Sequence, residues 1–131
     1  MNTGAGRVVI DTNIYYQAFY NHQSRQMLLL DAAAQEKVEL YSPELVREEA
    51  LRTFSKAGFA NCERLVEELP ATWVPFELYS TFMAEASTLI RHKPDAHVVA
   101  CALFLNCGIL SANTRHFDTK RLRQPSTNNR F

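Results

Sequence analysis

The sequence predicts an α/β protein, a three-layer α/β/α sandwich around a central, mostly parallel sheet of four to five strands. Three observations predict it. Short β-branched or alternating segments recur between helix-forming stretches of ten or more residues, as they do when crossover helices join parallel strands. The stretch Ala96 to Asn106 is apolar nearly all round, which suits a helix pressed against a sheet. Finally, 131 residues that are 47% hydrophobic and 21% charged suffice for one domain with its own core and exclude a disordered chain.

The elements follow in order. "RVVI" (7–10) is a short β-branched strand, and "DTNIYYQAFY" leads from it into a helix ending near Tyr20. "SRQMLLLDAAAQEK" (24–37) has a serine start and strong helix formers. "VELYS" (38–42) alternates apolar and polar residues as a strand does. "PELVREEALRTFSKAG" (43–58) opens on a serine cap and a proline and closes on Gly58, both helix-boundary signals. "FANCERLVEEL" (59–69) is a helix stopped by Pro70. "TWVPF" (72–76) is a third strand, whose Pro75 marks an edge or a strand end. "ELYSTFMAEASTLIRH" (77–92) and "KPDAHVVACALFLNC" (93–107) are two further helices, the second with Gly108 just past its end. "GILSA" (108–112) is the last strand, followed by a short helix around 118–123. The expected single domain covers 1–131, with a core over 7–123 and a polar, aperiodic tail at 124–131.

Several function classes drop out. The longest apolar run, Val98 to Leu105, is far short of the roughly 20 residues a membrane helix needs. "MNTGAGR" lacks the build of a secretion signal. Cys62, Cys101 and Cys107 cannot all pair and match no zinc or redox spacing, which suits core thiols in a reducing cytoplasm. His22, His92, His97 and His116 are scattered, with no HExxH arrangement for zinc. Net charge is zero, but the distribution is uneven. From Arg115 onward five Lys/Arg face one Asp, while the first 114 residues hold nine against thirteen acids. The pattern suggests a basic rim beside an acidic site.

The acids are where chemistry enters. In a parallel α/β sheet, strand ends and helix starts crowd the carboxyl edge, where ligands bind. Asp11 is the first residue past the first strand. Glu48 and Glu49 lie in the second turn of the helix after the second strand, and the flanking apolar residues leave open which of them faces the site. Asp95 starts the long helix before the last strand, which returns Ser111, Asn113 and Asp118 to the same edge. Carboxylates gathered there repel one another unless a cation neutralises them, and hard oxygen donors suit Mg²⁺ or Mn²⁺. The bland alternatives are a helix cap for Asp11, a favourable dipole position for Asp95, and solvated surface for the two glutamates.

"VVIDTNIYYQAF", "YSPELVREEALRTF", "KPDAHVVACAL" and "GILSANTRHFD", taken in this order and spacing, resemble the signature segments of PIN-domain ribonucleases, including their VapC-like toxin branch. The likeness covers residues 7–118. It implies a PIN-like sandwich and a Mg²⁺/Mn²⁺-dependent endonuclease that hydrolyses RNA phosphodiester bonds. For the toxin branch it implies a small antitoxin partner and a homodimer. By motif, Asp11, Glu48 and Asp95 would bind the metal, with Glu49 in reserve. Ser111, Ala112 and Asn113 fall where the family shows Thr, any residue, then Asp or Asn. The fourth carboxylate is therefore replaced by the neutral oxygen of Asn113, with Asp118 beyond it. Asn13, Ser111 and Arg115, with His116 beside it, would contact the substrate or its waters.

Two rivals stand against this expectation. One is an inactive PIN-like module that binds RNA or a protein without cutting. The other is a haloacid-dehalogenase-like phosphatase, which needs a second acid two positions after the first; Asn13 occupies that position.

Overall fold

The computed structural model describes residues 6–111. Four strands, β1 (Gly6–Ile10), β2 (Val38–Pro43), β3 (Ala71–Val74) and β4 (Gly108–Leu110), form one sheet in the order β3-β2-β1-β4. All three pairings are parallel: Val9 lies opposite Tyr41, Tyr41 opposite Thr72, and Ile10 opposite Leu110. Between β1 and β2 lie α1 (Thr12–Tyr20) and α2 (Arg25–Ala34), and between β2 and β3 lie α3 (Glu44–Lys56) and α4 (Cys62–Glu67). The return from β3 to β4 runs through α5 (Phe76–Tyr79), a 3₁₀ turn (Ser80–Phe82), α6 (Met83–Leu89) and α7 (Lys93–Leu105).

This topology makes the layers. Parallel crossovers are right-handed, so helices on the path β1 to β2 to β3 cover one face and those on the return to β4 cover the other. The packing agrees: α1 contacts α2 and α3, α3 contacts α4, and α7 contacts α5, α6, β1 and β2. Both faces of β1 are therefore dry. Val8, Val9 and Ile10 are all buried although their side chains alternate, as expected for a central parallel strand. Tyr15, Phe54, Val46, Val66, Tyr79, Val98 and Val99 complete the core.

Helix ends follow local chemistry. Ser24 caps α2 by accepting from the Met27 N–H at 3.2 Å. Beyond α3, Gly58 takes φ +86°, which lets the Phe59 N–H reach back to the Phe54 carbonyl. At the end of α7 the left-handed residue is Asn106 (φ 55°), and the Cys107 N–H bonds the Ala102 carbonyl. Gly108 lies beyond that helix end and opens β4, as expected.

The four predicted strands all form, and Pro75 falls just beyond β3, an edge strand, as its missing N–H requires. One expectation fails. Residues 77–92 are not a single helix but three short pieces. Tyr79 and Phe82 sit near φ −100°, ψ 0°, outside helical geometry, and the break allows Tyr79 to bury its ring and bond His97. The short helix expected at 118–123 and the tail at 124–131 lie outside the described residues.

One buried polar link ties the layers together behind the carboxyl edge. Ser42 donates its hydroxyl to the Ile10 carbonyl at 2.6 Å. That bond uses its only proton, so Tyr15, whose hydroxyl lies 2.7 Å away, is the donor to Ser42. Burial pushes the Tyr15 hydroxyl far above the usual phenol range, which keeps the proton in place. Ser42→Ala leaves Tyr15 without its acceptor, and urea unfolding is expected to show a loss of about 1–3 kcal/mol with an unchanged m-value.

Candidate active site

Strand order reverses direction at β1 and β4, and the crevice outside their carboxyl ends is where open α/β sheets bind ligands. Asp11 and Ser111 are the next residues after the paired ends Ile10 and Leu110. Their side chains meet there: Ser111 Oγ donates to Asp11 Oδ2 at 2.5 Å, joining positions one hundred residues apart.

Asp11 is only 6% exposed, and its Oδ1 has no hydrogen-bond partner among the described residues. It occupies the N-cap position of α1 without a well-formed side-chain cap hydrogen bond, although the Asn13 and Ile14 N–H groups favour its charged form. Burial pushes its carboxyl above the usual range. The Ser111 hydroxyl and the N–H groups of Ile14 and Asn13 pull it back, while the charge of Asp95 pushes it further up. Two carboxylates thus share this edge closely enough to feel each other.

Asp95 reaches the site from the first turn of α7, which runs antiparallel to the strands and so begins at their carboxyl edge. It is 9% exposed, with Oδ2 lying 3.2 Å from His92 Nδ1. The glutamates separate. Glu48 is exposed. Glu49 is half-buried and accepts a hydrogen bond from Thr12 Oγ1 at 2.8 Å, which ties α3 to the residue directly after Asp11. Asn13, next along, is exposed. Asn113, Arg115, His116 and Asp118 lie outside the described residues.

Thr12, His97 and Tyr79 were missed by sequence reasoning. His97 follows Asp95 by two positions on α7 and bonds the Tyr79 hydroxyl through Nδ1 at 2.8 Å. Burial lowers its tendency to take a proton, with Glu49 opposing and Lys93 reinforcing that effect. Its sequence signal was weak: a lone histidine on an apolar helix, with its partner eighteen residues away.

Among the described residues, no group of three or more His, Cys, Asp or Glu side chains could by itself hold a metal ion. The donors present are nonetheless of the right kind. Mg²⁺ keeps several waters and is bound through one or two carboxylates plus substrate phosphates rather than in a closed protein cage. Asp11, with a buried oxygen that finds no partner among the described residues and the charge of Asp95 beside it, fits that mode.

A family model for the PIN domain matches residues 9–128, nearly the whole chain. No curated protein matches it.

Proposed function

Since the chain belongs to the PIN-domain family, whose members are generally nucleases, we propose that it is a Mg²⁺- or Mn²⁺-dependent endoribonuclease. In this reading Asp11 and Asp95 would hold the metal, with Glu49 as the further acid beside them rather than a member of a closed three-carboxylate cage. Glu49 takes the second position, ahead of Glu48, because Thr12 ties it to the loop that carries Asp11. The observation that carries the proposal is the buried Oδ1 of Asp11, without a hydrogen-bond partner among the described residues, together with the charge of a second buried carboxylate, Asp95. Such a pair is unfavourable for the fold alone and makes sense when a cation balances it.

A bound divalent ion supplies Lewis acidity toward a phosphoryl oxygen and lowers the pKa of a water nucleophile. The chain's own residues do the rest. Ser111 fixes Asp11 through Oδ2, while Oδ1 finds no hydrogen-bond partner among the described residues. Thr12 fixes Glu49 in the same way. By its place in the sequence, Asn113 would offer a neutral oxygen where the family's fourth acid stands. Asn13 and Arg115 engage the RNA backbone, and the 5′-phosphate stays on the product.

The finer reading makes the protein the toxin of a toxin–antitoxin pair. It would be cytoplasmic and dimeric, and held in check by a small antitoxin encoded beside it. Among the described residues no helix is long and apolar enough to cross a membrane. The neutral Asn113 in the place of a fourth acid favours one alternative, an inactive PIN module that binds RNA or a protein partner.

One experiment separates the two. Millimolar Mn²⁺ is expected to raise the unfolding midpoint of the wild-type protein, since a ligand that binds only the folded state stabilises it. Excess EDTA should reverse the shift and stop cleavage of labelled RNA. Neither a thermal shift nor cleavage, with Mn²⁺ or Mg²⁺, would leave the inactive module as the better account.

A further inference from the structure

We propose that Phe76, backed by Tyr79 and His97, is a stacking platform for an unpaired base of the RNA that enters the acidic site. The inference rests on the nuclease reading for the kind of ligand, and its own support is geometric. Phe76 is the first residue of α5, directly after Pro75 at the carboxyl end of β3. It therefore stands on the same sheet edge as Asp11. Two strand spacings separate β3 from β1, about 10 Å, the reach of a nucleotide or two along the edge.

A large aromatic ring that is 47% exposed beside a buried core calls for an explanation. This ring is held rather than loose. It meets Tyr79 edge-on, with centroids 5.3 Å apart at 85°, and meets His97 at 5.7 Å and 44°. The Tyr79 hydroxyl fixes the His97 ring through a 2.8 Å hydrogen bond, and Tyr79 itself is almost wholly buried. A preorganised aromatic ring with solvent access, next to a phosphodiester-cleaving edge, is what single-stranded recognition uses, because every base has a π-face.

The test measures binding in excess EDTA, so that cleavage is not what is read. The probes are short single-stranded RNAs carrying 2-aminopurine, whose fluorescence falls when it stacks, and a matched RNA with an abasic position in its place. The full chain is expected to quench the base analogue and to bind the abasic RNA more weakly. Phe76→Ala and Phe76→Leu should each weaken binding about tenfold, while Phe76→Trp retains it. The leucine variant is the sharper probe, since it preserves apolar bulk and removes only the ring. If it binds as the wild type does, or if the abasic RNA binds equally well, the platform is overturned and the exposed Phe76 and Leu78 suit an apolar protein contact instead. Loss of cleavage in Asp11→Asn is scored separately, so failure of the nuclease reading is seen apart from failure of the platform.

Discussion

Asp11→Asn should be inactive and more stable than the wild type. Replacing one oxygen of the central carboxylate removes the negative charge on which the proposed chemistry depends, and RNA cleavage is expected to fall at least about 10²–10³-fold. Stability moves the other way because burial raises the Asp11 carboxyl above its ordinary value of 3.8. Below that value both folded and unfolded chains hold the proton, and the group contributes nothing. Between it and the raised folded value, the native state keeps a proton that the unfolded chain has released, so stability falls as pH climbs. Above the folded value the whole penalty persists. The amide variant is free of it, and urea unfolding near neutral pH is expected to favour that variant. The difference should shrink toward acid pH. A variant that is less stable at every pH would mean that the carboxylate serves the fold, not a ligand.

The glutamates provide the second large contrast. Glu49→Gln is expected to lower the cleavage rate about 10²-fold, and Glu48→Gln to leave it within about twofold, as exposed substitutions usually do. Comparing single-turnover rates of the two variants with the wild type at saturating Mn²⁺ decides the matter. A loss confined to Glu48→Gln would restore the first choice made from the sequence and remove Thr12 from the site.

That choice shows where sequence reasoning ran out. The alternation of strands and helices, the edge position of β3 and the arrival of Asp11, Asp95 and Ser111 at one edge all followed from chain direction and period, which are local properties. Choosing between Glu48 and Glu49 needed the rotation of α3 about its axis. Val46, Ala50 and Phe54 set that rotation by turning inward, and Leu45 and Leu51 left it ambiguous on paper. The contact on which the proposal of Glu49 rests, Thr12 with Glu49, spans 37 residues and leaves no local mark. Residues 77–92 misled for a related reason. Their composition suits a helix, but burying Tyr79 against His97 breaks it into pieces, so a tertiary contact overrode local propensity.

The place of β4 beside β1 also governs when the carboxyl edge of the sheet is complete. β1 leaves the ribosome before the other three described strands, yet its neighbour on one side is the last of them to be made. Until that strand docks, β1 has an open flank and the hydroxyl that orients Asp11 has not arrived. On the nuclease reading, the proposed site is therefore completed only when the last of the described strands has been made and has closed against the first.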